Sequence, residues 1–162
     1  MIVLGVDPGL TSIGYGVLES KGKTILVKGS GSFTTTERDP LPSRLKCIHD
    51  SIQDIIEEYE PDVLACETVF YSKNPRSTIL LGHARGVVLL AAETKGIRIL
   101  EFSPREVKSA VGGRGSSTKN QVKYMVKAQL DIKDLPESAD VSDALAVALC
   151  CLHKEKDICS MG

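Results

Sequence analysis

The sequence predicts an α/β fold: a five-stranded mixed sheet, its first three strands antiparallel and two further strands parallel, flanked by helices on both faces. Three observations carry this. Near the N-terminus three runs of β pattern follow one another with only turns between them, as an antiparallel meander requires. A helical period over residues 43–59 then separates them from a fourth apolar run, and a second helical period separates the fourth from a fifth. Strands joined through helices lie parallel, because the connection carries the chain back to the end of the sheet where the previous strand began.

Residues 2–6, I-V-L-G-V, are continuously apolar and stop at the turn Asp7-Pro8-Gly9. A second run at 15–18 returns after a short loop, close enough to pair as a hairpin. Residues 23–33 give a third strand, with Ile25 and Val27 on one face. Over 43–59 the positions Leu45, Ile48, Ile52, Ile55, Ile56 and Tyr59 repeat at helical spacing, and Pro61 ends the helix. The run 63–66 is a short buried strand finishing at Glu67, expected parallel to the first. Residues 68–76, T-V-F-Y-S-K-N-P-R, mix two aromatics, two cations and a proline, and read as a loop.

Residues 77–95 form a long helix with Ile79, Leu80, Ala84, Val87, Val88 and Ala91 on its apolar side. Gly82 and Gly86 sit one turn apart within it. Glycine costs a helix about 1 kcal/mol, so the pair predicts a close approach by another backbone, within the chain or from a second copy. Gly96 closes that helix, 98–102 is the fifth strand, and Ser103-Pro104-Arg105-Glu106 is a capping box with proline at the first helical position. The stretch 112–117, G-G-R-G-S-S, reads as a flexible basic linker. Thr118 and Gln121 then cap a helix to Leu130 that carries Lys119, Lys123 and Lys127 four apart. Residues 138–143, S-A-D-V-S-D, open a final helix over 144–153 and put Asp140 and Asp143 on one face of its first turn.

The 162 residues suit one domain, expected at 1–154 with a frayed tail at 155–162. No apolar run approaches the roughly 18 residues of a membrane span, so no membrane partner is expected. Met1 leads straight into a strand without a basic leader. The cysteines, Cys47, Cys66, Cys150, Cys151 and Cys159, form no C-x-x-C pair, so reduced core thiols and a cytoplasmic location are expected. The net charge of −1 conceals an asymmetry. Residues 73–127 hold eleven Lys and Arg against Glu93, Glu101 and Glu106, a balance of +8 that leaves −9 on the rest. A basic middle third is often only solvated surface, but it also suits a polyanionic partner.

Four acids stand at element ends. Taken alone, Asp7 is a turn former and Asp140 and Asp143 are helix caps. Together they predict more. Asp7 and Glu67 end adjacent parallel strands, and a last helix packed near the first strand would bring Asp140 and Asp143 to them. Four anions so placed repel strongly unless cations join them. Carboxylate oxygens, with no His or Cys at ligand spacing, suit Mg²⁺ or Mn²⁺ rather than zinc. Four carboxylates around two such ions are an arrangement that hydrolyses phosphodiesters. The basic third would contact a nucleic-acid backbone, with Lys73, Arg76, Arg114, Ser116 and Lys123 as candidate contacts and Phe70 and Tyr71 as candidate aromatics among them, although taken alone these two read as core residues that anchor the loop. D-x-G-x-T at 7–11 also opens nucleotide-binding domains of the actin and sugar-kinase type, but those need a duplicated second domain for which 162 residues leave no room.

The ordered set of motifs is G-V-D-P-G at 5–9, G-Y-G-V at 14–17, L-P-S-R-L at 41–45, the run 67–73, L-G-x-A-R-G-V at 81–87, V-K at 107–108, G-x-G-S-x-x-K-x-Q-V at 113–122 and A-D-x-x-D-A-L-A at 139–146. Together these resemble the ribonuclease H-like nucleases, and within them the RuvC family of Holliday-junction resolvases. The resemblance implies that Asp7, Glu67, Asp140 and Asp143 are catalytic acids holding two Mg²⁺ per subunit, with Asp7 shared and Mn²⁺ able to substitute. It implies charge stabilisation at the scissile phosphate by Lys119, a catalytic or backbone role for Lys108, and insertion of Phe70 near the junction crossover. Asp140 is a carboxylate where some members carry histidine. The helix with Gly82 and Gly86 is similar to the family's dimer helix. The implied function is paired nicking of four-way junction DNA by a homodimer in recombination and repair, leaving 5′-phosphate and 3′-hydroxyl ends. The implied partner is a branch-migration helicase complex of the RuvA and RuvB type. A related nuclease acting on another nucleic-acid structure and a junction binder without catalysis are the other readings of these residues.

Overall fold

Five strands, β1 (Ile2–Asp7), β2 (Ser12–Lys21), β3 (Thr24–Thr34), β4 (Val63–Glu67) and β5 (Arg98–Phe102), make one sheet in the order β3-β2-β1-β4-β5. The first three pair antiparallel, and β1, β4 and β5 run parallel. This computed structural model describes residues 1–22, 24–68, 74–132 and 138–160. The helices are α1 (Leu41–Tyr59), α2 (Pro75–Thr94), α3 (Pro104–Gly112), α4 (Lys119–Leu130) and α5 (Ala139–Ser160). Among the described residues no helix is long and apolar enough to cross a membrane.

The alternation of side chains along a strand sorts the core into two layers. Leu4 and Val6 of β1 and Leu64 and Cys66 of β4 pack with Ile48 and Ile52 of α1 and Ala84 and Val88 of α2. The alternate positions, Val3, Val63 and Ala65, pack on the other face with Val107 of α3, Val126 of α4, and Leu145 and Leu149 of α5. Asp7 and Glu67 continue the Val3-Gly5 and Val63-Ala65 parity, so both project on the α5 face.

Helix α5 is buried nearly all round from Val141 to Leu152. It is the central helix of its layer, lying on β1 and β2 with α3 and α4 against it. Three strand glycines make the seat. A Cβ on Gly5 would collide with the Ala144 carbonyl oxygen, one on Gly16 with the Leu145 side chain, and one on Gly14 with the Asp140 carbonyl. Gly5 lies opposite Gly16 and Asp7 opposite Gly14. The helix therefore touches sheet backbone, and its first turn comes down beside Asp7.

Within the chain the close-approach glycines are these three; among the described residues Cβ atoms on Gly82 and Gly86 would meet nothing within 4 Å, which leaves the approach expected of that pair to a second copy. Three expectations change. Ile79, expected on the buried side of α2, is 60 % exposed. It lies five residues, about 140° at 100° per residue, from the buried Ala84-Val88-Ala91 stripe. The supposed linker at 112–117 is a closed loop. Buried Ser117 donates its hydroxyl to the Arg114 carbonyl at 2.7 Å and its amide to the same oxygen at 3.0 Å. Finally, α5 starts at Ala139 and runs past His153 to Ser160, its later turns tied by Arg98 to Glu155 at 2.7 Å and by Lys154 to Glu106. Cys66, Cys150 and Cys151 are free and buried, and burial pushes the last two thiols up to about 11 and about 12.

Candidate active site

The carboxyl ends of β1 and β4 and the first turn of α5 meet at one cavity of about 140 Å³. Asp7, Glu67, Asp143, Lys108 and Lys119 line it, with Val107, Val122 and Ala146 as apolar wall. The strands fix their acids through the sheet. Val6 stands in register with Cys66, one step before Asp7 and Glu67. Beyond Glu67 the Thr68 amide still donates to the Phe102 carbonyl at 2.9 Å, so β4 is held to β5 at its end. The two acids of α5 arrive from the helix N-terminus, whose dipole favours negative charge.

The electrostatics bind the group together. Burial pushes the Asp7 carboxyl up to about 7 from 3.8, and Asp143, Asp140 and Glu67 push in the same direction, while Lys119 opposes. Burial and then Asp143 also raise Glu67, against Lys119 and Lys108. Lys119 donates to Asp143 Oδ2 at 3.0 Å, and this bond, with Asp7 and Glu67 beyond it, raises the lysine. Asp140 accepts from the Ser12 hydroxyl, and its side chain does not line the cavity.

Among the described residues no three His, Cys, Asp or Glu side chains stand close enough to hold one ion among them. The mutual repulsion and this spacing are compatible, because charge acts over longer distances than ligation. Asp140 is engaged by Ser12 and Asp143 by Lys119, and ligation would draw both acids inward. The donor set fits a hard divalent cation: four carboxylates and no nitrogen or sulfur donor.

The other candidates scatter. Arg76 is exposed in the first turn of α2, where its amide donates to Asn74 Oδ1 at 3.0 Å. Arg114 and Ser116 are exposed on the loop before α4 and line a different cavity, and Lys123 is half-buried one turn beyond Lys119. Phe70, Tyr71 and Lys73 lie outside the described residues.

Two residues that support the acids escaped sequence reasoning. Ser12 opens β2 and holds Asp140. Arg44 is buried, and its guanidinium donates to Thr35 Oγ1 at 2.9 Å, the Leu10 carbonyl at 3.1 Å and Thr11 Oγ1 at 3.3 Å. It thereby clamps the loop that links Asp7 to Ser12. The signal was available: Arg44 sits four residues before Ile48 and eight before Ile52, on the buried stripe of α1.

The sequence model of the family described as "Crossover junction endodeoxyribonuclease RuvC" matches residues 3–151. The protein of that name in Alkaliphilus oremlandii is 42 % identical over 153 residues, 94 % of this chain and 93 % of the relative. Its Shewanella amazonensis namesake is 44 % identical over 161 residues, 99 % and 92 % of the two chains. Among solved structures, "T. thermophilus RuvC in complex with Holliday junction substrate" superposes with a TM-score of 0.89 at 28 % identity, covering 97 % of this chain and 96 % of that one. The yeast mitochondrial resolvase Ydc2, at 17 % identity and a TM-score of 0.66, shares the fold. The architecture is ribonuclease H-like, and the chain belongs to the RuvC family of crossover junction endodeoxyribonucleases.

Proposed function

We propose that this protein resolves four-way DNA junctions in recombination and repair in the cytoplasm, through paired symmetric nicks that leave 5′-phosphate and 3′-hydroxyl ends. The observation that carries the reading is the cavity at which β1, β4 and α5 bring acids together, where burial and then the neighbouring acids raise the Asp7 carboxyl to about 7, with Lys119 and Lys108 among them. Junction DNA as substrate is supported by the Thermus thermophilus relative, whose structure is titled as a complex with it.

Asp7, Glu67, Asp140 and Asp143 would hold two Mg²⁺ per subunit, Asp7 facing both, with Mn²⁺ able to replace them. Bound there, the ions supply Lewis-acid activation of the attacking water and stabilisation of the leaving oxygen. Lys119 then turns from Asp143 toward the scissile phosphate, where a positioned ammonium stabilises the charge that develops. Lys108 faces the same phosphate from α3. Arg76, Arg114, Ser116, Lys123 and Lys73 serve as contacts to the strands, and Phe70 and Tyr71 as aromatics at the crossover. Lys119→Ala lowers the cleavage rate by about 10²-fold and leaves the melting temperature nearly unchanged, since an exposed ion pair contributes little to stability. Single-turnover rates and a thermal melt check both halves.

A second copy of the chain is supported by the outer face of α2. Ile79 and Leu90 are 60 % and 58 % exposed there, with Gly82 and Gly86 open between them. Two helix glycines with no close backbone neighbour among the described residues of their own chain fit the backbone of a partner helix. A two-fold dimer also matches two-fold junction symmetry and delivers two cuts. Leu90→Glu converts the dimer to monomer in sedimentation analysis and uncouples the two nicks. A branch-migration helicase of the RuvA and RuvB type is the partner we assign to the same reaction.

The experiment is a synthetic four-way junction, each strand labelled in turn, incubated with and without Mg²⁺. Symmetric, ligatable nicks in two opposed strands, formed only with metal, are the expected result. Equal cutting of linear duplex or an RNA–DNA hybrid would instead favour another nuclease of this fold, and binding without cutting a non-catalytic junction protein.

A further inference from the structure

The first turns of α4 separate two cavities. Lys119 and Val122 line the one with the acids, and Asn120, Gln121 and Tyr124 line a second, of about 610 Å³, whose far wall carries Arg114 and Ser116. This second cavity is built on a closed loop. Ser117 bonds the Arg114 and Gly112 carbonyls at 2.7 and 3.2 Å beneath it, and a Cβ on Gly112 would collide with the Ser117 hydroxyl.

Tyr124 is 69 % exposed, above Ile79 at 60 % and Leu90 at 58 %, and unlike those two it is not on the outer face of α2. Gln121 uses its Oε1 to accept from the Thr118 amide at 2.8 Å, which leaves both hydrogens of its carboxamide nitrogen to offer. The described lining thus combines an aromatic face, one guanidinium, two carboxamides and no acid. That set suits a nucleotide: a π-face for the ring, a cation for the phosphate, and donors and acceptors at the height of a base edge. An apolar ligand would find too many polar groups, and an acidic peptide only one cation.

We propose that this cavity is a nucleobase subsite, in which an unstacked base next to the cleaved phosphodiester lies on the Tyr124 ring, with Arg114 on its phosphate and Asn120 and Gln121 at its edge. The subsite rests on the nuclease reading for the identity of the strand, and extends it by one nucleotide across α4. It gives the enzyme a means of sensing which base flanks the cut, because carboxamides read the hydrogen-bonding edge of a base.

The test uses full-length protein and four-way junctions carrying 2-aminopurine at each position flanking the cut, bound in Ca²⁺ in place of Mg²⁺. At one flanking position the wild-type protein and Tyr124→Phe quench the probe by stacking, and Tyr124→Ala does not. Tyr124→Ala also weakens junction binding by about tenfold, or about 1.4 kcal/mol, with the melting temperature and the Mg²⁺ dependence of cutting unchanged. Equal quenching and equal affinity for wild type and Tyr124→Ala, in a protein that still binds and cuts the junction, overturn the subsite alone and leave the cavity to a protein partner. Failure of the wild-type protein to bind the junction at all overturns the nuclease reading and the subsite with it.

Discussion

Asp7→Asn abolishes junction cleavage and, in metal-free buffer at pH 8, raises the melting temperature. Both results follow from one position. The carboxyl is half-buried at the end of β1 and pushed up to about 7 by burial and by three neighbouring acids. A folded-state value above the unfolded one means the group favours the fold while protonated. That stability is fully present below about 3.8, the unfolded value, and is lost as the pH rises through about 7. At pH 8 the wild-type chain carries the whole cost, on the order of a few kcal/mol at roughly 1.4 per unit. Asparagine has nearly the same shape and no charge to bury. The difference between wild-type and variant melting temperatures therefore opens between pH 4 and 8, by roughly 2–4 °C per kcal/mol for a chain of this size. Junction binding persists, because an anion has been removed from the surface proposed to meet DNA. Loss of cleavage without any gain in stability would mean that neither burial nor the neighbouring acids penalise the Asp7 carboxylate.

Gly14→Val gives the second large effect. Gly14 lies opposite Asp7 on β2, and any Cβ there runs into the Asp140 backbone. Sheet backbone cannot give way as the end of a flexible side chain can, so the first turn of α5 lifts and carries Asp140 and Asp143 away from Asp7. Overpacking of this kind costs about 1–3 kcal/mol, which the remaining contacts of α5 absorb. Cleavage suffers more than stability, since misplacing a catalytic group by about 1 Å can cost 10²-fold. Single-turnover cleavage at least 10²-fold slower, junction affinity within about threefold of wild type and a cooperative melt are the expected combination. A normal rate would show that the seat of α5 does not set the site.

Much of this was legible in the sequence. The order of strands and helices followed from periodicity, and β5 and α4 and their caps were placed residue for residue because proline, glycine and capping residues mark their ends. Asp7 and Glu67 were legible as neighbours because a helical crossover makes their strands parallel. The gathering of Asp140 and Asp143 onto them was a conditional inference, since helix-on-sheet docking leaves no local periodicity. Its actual cause, the Gly5-Gly14-Gly16 seat, spans two strands and shows only as glycines at alternate strand positions. Arg44 is hard to read from the sequence because a cation on an apolar stripe looks like an interruption. Its neutral acceptors, Leu10, Thr11 and Thr35, come from distant turns of the chain.

The central claim is that these four acids act as one divalent-metal site. The most direct measurement is the count of bound Mn²⁺ by electron paramagnetic resonance, on wild-type protein and on Asp7→Asn, each saturated with an uncleavable four-way junction. The account requires two Mn²⁺ per chain in the wild type and loss of tight binding in the variant. An equal count in both proteins, or none in the wild type, would contradict it.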